Sequence, residues 1–321
     1  MIRFVTTRNH ASTLAAVRDD PRAPRMELLS YDGLIAAKWL PRASYVFTDL
    51  DRLGAWDLEL AARIHHRLAE AGVRVWNDPA RAKTRFALLR ALHQAGVNDF
   101  NAYRVDEGLR PARYPVFLRR EAGHGNPVSG LLADAGALAR AIEAALAQGV
   151  PAHNLLVIEY AAEPVRPGLF RKLSVARLGD RLETQICVHD TRWLVKYGKL
   201  ASATPELYED ELRMLRENRF AGELRRAFEI AEIEYGRADF GLVGGRPQVY
   251  EINTNPSVKP GGEHPSPQRV QSQQLAWARF IEALHTLDGG AQAGPPVRIA
   301  DEKLAPHQGW RSRVVRSRPV P

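Results

Sequence analysis

Arg237, Asp239, Glu251 and Asn253 stand at alternating positions inside two otherwise apolar runs, YGRADFGLV and RPQVYEIN. Alternate side chains of an extended chain share a face, and Gly244-Gly245 between the runs reads as a hairpin turn. A loop with an odd number of residues, such as Val243 to Gly245, pairs odd positions with odd ones and gathers all four polar groups on one face. A two-residue Gly-Gly loop instead puts the acids on opposite faces. Gathered together, two carboxylates and an amide oxygen form a hard-oxygen set suited to Mg2+ that also takes phosphate oxygens and water. The competing reading is a solvated polar stripe, the commonest fate of alternating polar residues in an antiparallel sheet. Spacing alone leaves both open, although Asn253-Thr254-Asn255-Pro256 ends the second run in a polar loop beside the acids.

Elsewhere the residue types point away from covalent chemistry. The single cysteine, Cys187, lies in the alternating run ETQICVHD, which reads as a strand holding an inert buried thiol. His189 reads as a partly buried histidine and Trp193 as a packing residue, whereas Lys196 in the same stretch is a candidate to meet substrate. No Gly-x-Gly-x-x-Gly follows the first strand and no Gly-x-x-x-x-Gly-Lys-Ser/Thr occurs, so neither a dinucleotide fingerprint nor a P-loop is present.

The elements that must carry these residues follow from periodicity. RFVTT, MELLSY, SYVFTD and VRVW read as short strands, and DLELAARIHHRLAEAG places Leu60, Ile64 and Leu68 on one helical stripe. This alternation predicts a small α/β lobe with a mainly parallel sheet over 1–76. Asn77-Asp78-Pro79 punctuates the chain. There follow a helix in RAKTRFALLRALHQAG, the strand PVFLRR, the loop EAGHGNPVSG, a helix in ADAGALARAIEAALAQG and the strand NLLVIEY. Strands near Lys172–Leu178 and Arg181–Val188, a long helical region over 205–233, the hairpin, and a helix in PQRVQSQQLAWARFIEALHTL complete the folded part.

The 321 residues suffice for two or three lobes around a cleft, and the composition is that of a globular protein. With no leader-like opening and no apolar stretch near the roughly 20 residues needed to span a bilayer, a cytoplasmic location and no membrane partner are expected. The net charge is +8, of which residues from Gly289 onward contribute 6 − 2 = +4. That Gly-, Pro- and Arg-rich tail, 288–321, is expected to be disordered or loosely docked, and no aromatic-interleaved motif marks it for nucleic acid.

The segment YGRADFGLVGGRPQVYEINTNPS resembles the C-terminal signature of the ATP-grasp superfamily, in the branch of glutathione synthetase, D-alanine ligases and ribosomal-protein glutamate ligases. The resemblance covers roughly 76–287 and is weaker before that. It implies an α/β ATP-grasp fold: a pre-ATP-grasp domain over 1–76, then an ATP-grasp domain over 77–287 with a lid subdomain about 77–153 and a C-terminal subdomain about 154–287. It also implies that Asp239, Glu251 and Asn253 hold one or two Mg2+ ions, or Mn2+, against ATP, and that Arg237 steadies an acyl phosphate and a tetrahedral intermediate. Lys83 resembles the first phosphate-binding lysine. LLVIEYAAEP resembles the adenine hinge, with backbone groups of Glu159, Tyr160 and Ala161 at the base and Glu163 at the ribose. In GLFRKLSVARLGD, Arg171 and Lys172 resemble basic residues facing the cleft. Two features depart from the pattern. Arg119 stands where a lysine is usual, and the glycine lid is thin, with Gly123, Gly125 and Gly130 around Pro127; His124 reads first as an exposed loop histidine, with contact to the γ-phosphate as the alternative.

The implied activity is ADP-forming ligation of a carboxylate to an amine or similar nucleophile through an acyl phosphate, with small-molecule or peptide substrates. The alternatives are an ATP-grasp kinase, and a MgATP-binding regulatory or scaffold protein with little activity. Nucleic acid is not expected as a partner, and a homodimer is left open.

Overall fold

Hydrophobic alternation and the helical stripe of the first lobe close into a small sheet. In the computed structural model, which describes residues 1–108, 110–123, 125–196, 198, 202–290 and 293–308, the lobe contains β1 (Ile2–Thr6), α1 (Ala15–Arg18), β2 (Met26–Ser30), α2 (Tyr31–Ala36), β3 (Trp39–Leu40), β4 (Ser44–Phe47), α3 (Ala55–Glu70) and β5 (Val75–Trp76). Four strands form a parallel sheet in the order β2-β1-β4-β5. Leu60, Ile64 and Leu68 on α3 are fully buried, as their spacing requires.

Asn77, with φ of 61°, makes the turn out of this lobe. Its side chain imitates a strand edge: Oδ1 accepts the N–H groups of Glu234 and Tyr235, and Nδ2 donates to the carbonyls of Phe47 and Tyr235. After it, Thr84 caps α4 (Arg85–Gln94) through the Ala87 N–H. A second sheet, β6 (Ala102–Arg104), β7 (Val116–Arg120) and β8 (Leu155–Glu159), has the order β6-β8-β7 and carries α5 (Ala135–Ala147). Its buried residues form small cores of their own, one of them around Tyr103, Val116, Leu118, Leu138 and Val157.

The third sheet holds the chemistry. It comprises β9 (Pro164–Arg166), β10 (Leu169–Leu178), β11 (Arg181–Thr184), β12 (Val188–Asp190), β13 (Tyr235–Val243) and β14 (Arg246–Asn253), with β10 central between β11 and β13. Two differences from expectation appear here. The run 181–188 is interrupted at 185–187, where the Cys187 N–H and thiol turn to the Glu211 carboxylate. The helical region over 205–233 splits into α6 (Pro205–Arg216) and α7 (Ala221–Ala231), because Asn218 and Phe220 adopt positive φ between them. α8 (Pro267–Leu284) packs on α6.

One core joins the first lobe to this third sheet, placing Leu34, Phe47 and Leu60 with Val175, Ala238 and Phe240. Of the two expectations for the tail, docking is what the structure has over 293–308. β15 (Val297–Arg298) pairs antiparallel with β3, and Ile299 and Leu304 are buried against the first lobe. Three apolar side chains within eight residues supply the burial that the Pro and Gly content of the segment conceals. The rest of the tail, 309–321, lies outside the described residues. Among the described residues no helix is long and apolar enough to cross a membrane.

Candidate active site

The hairpin turn has two residues, Gly244 and Gly245, both at positive φ, with Val243 opposite Arg246. By alternation alone this turn would separate the two acids. A β-bulge prevents it: the register shifts between Asp239 and Phe240, leaving Tyr250 as the extra residue. Asp239 then stands opposite Glu251, and Arg237 opposite Asn253. The four polar groups therefore share a face by a route the loop-length argument did not contain. Tyr250 is held in the bulge by donating to the Ala161 carbonyl at 2.9 Å. It lies across Gly241, where a Cβ would come within 2.1 Å of its hydroxyl.

Two carboxylates directly opposite one another repel, so the pair needs countercharge. Asp239 is 3% exposed and receives Lys172 Nζ at 2.8 Å and Arg237 Nε at 2.9 Å. Glu251 receives Arg85 at 2.9 Å and has Arg119 at 3.7 Å. Burial and the neighbouring Arg85 charge lower the Arg119 guanidinium to about 10, against the pull of Glu251. Asn253 Oδ1 accepts the Asn255 N–H and keeps a second lone pair. The polar loop after it is anchored in the first lobe, with Asn255 Nδ2 on Thr6 and on the buried Asp49 carboxylate, and Thr254 accepting from the Leu50 N–H.

A cleft opens between this hairpin and the β6-β8-β7 sheet. Leu89, Phe100, Phe117, Ile158 and Phe170 give it dry walls, Arg85, Arg119 and Lys172 meet Glu251 and Asp239 at its polar end, and Arg171, paired with Asp210, and Lys196 also line it. Phe117 and Tyr160 pack against Trp193 at ring-centre distances of 4.9 and 5.7 Å, which closes one side. An apolar slot ending in clustered cations suits a flat base with a polyanionic chain.

The structure brings Arg119, Gly125, Glu159, Tyr160, Ala161, Lys172, Lys196, Asp239 and Glu251 to this cleft. Arg237 and Asn253 lie one cross-strand pair further along the same face. The Glu159 carboxylate turns away to receive Tyr103, the Asn101 and Ala112 N–H groups and Arg113, and the Glu159 N–H donates to the Asn101 carbonyl. Two of the expected residues have other partners here. Lys83 precedes the cap of α4 instead of lying in the helix, and its ammonium pairs with Glu232 at 2.9 Å, away from the cleft. Glu163 receives the Gly244 N–H at 2.9 Å, so its carboxylate serves the hairpin turn and does not line the cleft. Arg85, which the sequence reading passed over, takes the place beside Glu251 and also donates to the carbonyls of Glu121 and Gly123, tying Gly123 to the site. Its position one residue after the Thr84 cap, in the first turn of α4, was the available signal. The loop after β7 is held along it by Val128 and Ser129. His124 lies outside the described residues.

No family model matches the sequence, and no curated protein matches it. Among solved structures, the fold is similar to an ATP-grasp RimK domain protein from Sphaerobacter thermophilus, with TM-score 0.51, 17% identity, and coverage of 90% of this chain and 99% of that one. It is also similar to the VanG D-Ala:D-Ser ligase of Enterococcus faecalis, with TM-score 0.50, 10% identity, and coverage of 89% and 98%. The order of lobes, the cleft between two antiparallel sheets and these likenesses together identify the chain as having the ATP-grasp fold.

Proposed function

We propose that the chain is an ATP- and Mg2+-dependent ligase that joins a carboxylate to an amine or similar nucleophile through an acyl phosphate. The observation that carries this reading is the bulge-enforced opposition of Asp239 and Glu251, beside Asn253, at the cationic end of an apolar cleft. The donor set fits Mg2+, which when bound would neutralise phosphate charge and fix the angle of transfer. Lys172, Arg85 and Arg119 are the groups that pair with the acids here, and a triphosphate offers them oxygens in exchange. In this reading the backbone of Tyr160 and Ala161 faces the base, Arg237 and Lys196 face the acyl group, and Trp193 with Phe117 keeps water out. The fold relative that ligates D-Ala to D-Ser supports amide or ester formation as the reaction class.

The test is ADP release in the presence of Mg2+ over a panel of carboxylates with and without amines. ADP and phosphate that depend on both substrates support ligation, whereas a stable phosphorylated acceptor makes the chain a kinase. Glu251→Gln should reduce turnover by about a hundredfold or more with the melting temperature kept; unchanged turnover would remove the metal assignment. Arg119 favours one second reading, a nucleotide-binding regulator: a buried guanidinium beside another is stiffer than a lysine. Tight MgATP binding without turnover across the panel would select it.

A further inference from the structure

Behind the first lobe, away from the cleft, three metal-ligating groups converge where α3 meets the segment that follows β5. His65 Nδ1 lies 3.7 Å from Asp78 Oδ1 and His66 Nε2 lies 3.3 Å from Asp78 Oδ2, and all three side chains offer ligand atoms within 4.8 Å of one another. His65 is 8% exposed, and its Nδ1 is buried without a hydrogen-bond partner. At 3.7 Å the carboxylate is too far to serve as that partner. A buried ring nitrogen without a hydrogen-bond partner is a donor atom open to a ligand.

The chemistry of that ligand follows from the donors. An imidazole offers a metal ion a ring-nitrogen lone pair, and a carboxylate offers it an oxygen. Two imidazoles and a carboxylate suit a first-row divalent ion of the zinc type, not Mg2+ or Ca2+. Around zinc, ligand bonds of about 2.0–2.2 Å put neighbouring donors about 3.3 Å apart in a tetrahedron. The His66–Asp78 separation of 3.3 Å, also a hydrogen-bond distance, already has that value, and His65 Nδ1 lies 3.7 Å from the other carboxylate oxygen. Asp78 keeps its other work, since its Oδ1 caps the next turn through the Ala80 N–H and Arg81 touches its Oδ2 only at 3.6 Å. His65 and Asp78 line a cavity together with Glu229, Glu232 and Glu234 and with the cations Arg81 and Arg177.

We propose that His65, His66 and Asp78 bind a zinc ion that staples α3 to the connector between the first lobe and the hairpin sheet. Asp78 directly follows Asn77, whose side chain holds the start of β13. The ion therefore sits on the junction from which the strand bearing Arg237 and Asp239 departs. It is a site separate from the Asp239–Glu251 pair and does not depend on the ligase reading.

The full chain, stripped with EDTA, is titrated with Zn2+ in excess Mg2+ and followed by calorimetry and thermal melting, with Co2+ as a visible probe. One equivalent of Zn2+ should raise the melting temperature, and Co2+ should develop the absorption of a tetrahedral site. His66→Ala alters an exposed side chain and should weaken zinc binding roughly tenfold or more while leaving the metal-free melting temperature nearly unchanged. Asp239→Asn should retain the full zinc response. A melting temperature indifferent to Zn2+ would overturn the proposal. So would a zinc response that survives His66→Ala, or one that disappears with Asp239→Asn.

Discussion

Arg85 and Lys83 are two residues apart, yet they serve different carboxylates, Glu251 in the cleft and Glu232 outside it. If nucleotide binding relies on what the side chains reach, Arg85→Ala should weaken MgATP by roughly tenfold, about 1.4 kcal/mol, and Lys83→Ala by less than about twofold on the same scale. Equilibrium binding of a fluorescent ATP analogue measures both; equal losses would mean that Lys83 swings inward on binding. A second residue-scale consequence concerns His189, which is buried with Nε2 unpartnered and is lowered to about 4, first by burial and then by Arg171 and Arg269. The folded form resists the proton that the unfolded chain accepts near 6.5, so the unfolded state binds more protons as pH falls. This contribution is complete above about pH 6.5 and is lost down to about pH 4, a change on the order of 3 kcal/mol. Denaturant unfolding of wild type and His189→Gln across that range should show the variant losing less stability; parallel curves would mean that His189 does not titrate with folding.

At the scale of elements, legibility divided along a physical line. Strand and helix existence followed from periodicity, and the parallel first sheet followed from β/α alternation, because those patterns are written in the burial of each residue. The opposition of Asp239 to Glu251 could not be read from loop length. It depends on a bulge that Tyr250 makes by reaching the Ala161 carbonyl, a contact between residues far apart in sequence. The split of the 205–233 region, set by positive φ at Asn218 and Phe220, and the pairing of Lys83 with the distant Glu232 were equally hidden. Asn77 shows how much a single connector residue can carry. Fully buried at a positive φ, it satisfies two N–H and two carbonyl groups across the junction of the lobes. Asn77→Ala orphans all four and puts alanine in a left-handed conformation, so the expected cost is about 3 kcal/mol or more. Urea unfolding would measure it; a loss below about 1 kcal/mol would mean that water replaces the amide.

Across the whole molecule, the first lobe and the hairpin sheet share a core while the β6-β8-β7 sheet packs in smaller clusters, one of which takes in Leu89 of α4 and touches Tyr250 of β14 beside the cleft. The C-terminal segment belongs to the shared core. Val297, Ile299 and Leu304 enter it, Ile299 bonds to the Lys38 carbonyl, and Asp301 and Lys303 pair with Arg63 and Glu59 on α3. Burial of three aliphatic side chains is worth roughly 1.5–3 kcal/mol each, offset by the ordering of the segment, so a net of about 2 kcal/mol is expected. Removal of residues 293–321 should therefore lower the melting temperature by roughly 4 °C or more. It should also uncover Leu40, increasing binding of an apolar dye. Because residues 293–308 pack on the face of α3 and β3 and none of these described residues lines the cleft, the truncated chain should bind MgATP with unchanged affinity at temperatures where it is folded. A fall in affinity without a fall in melting temperature would mean that the segment acts on the cleft, and that its basic residues serve the nucleotide instead of the core.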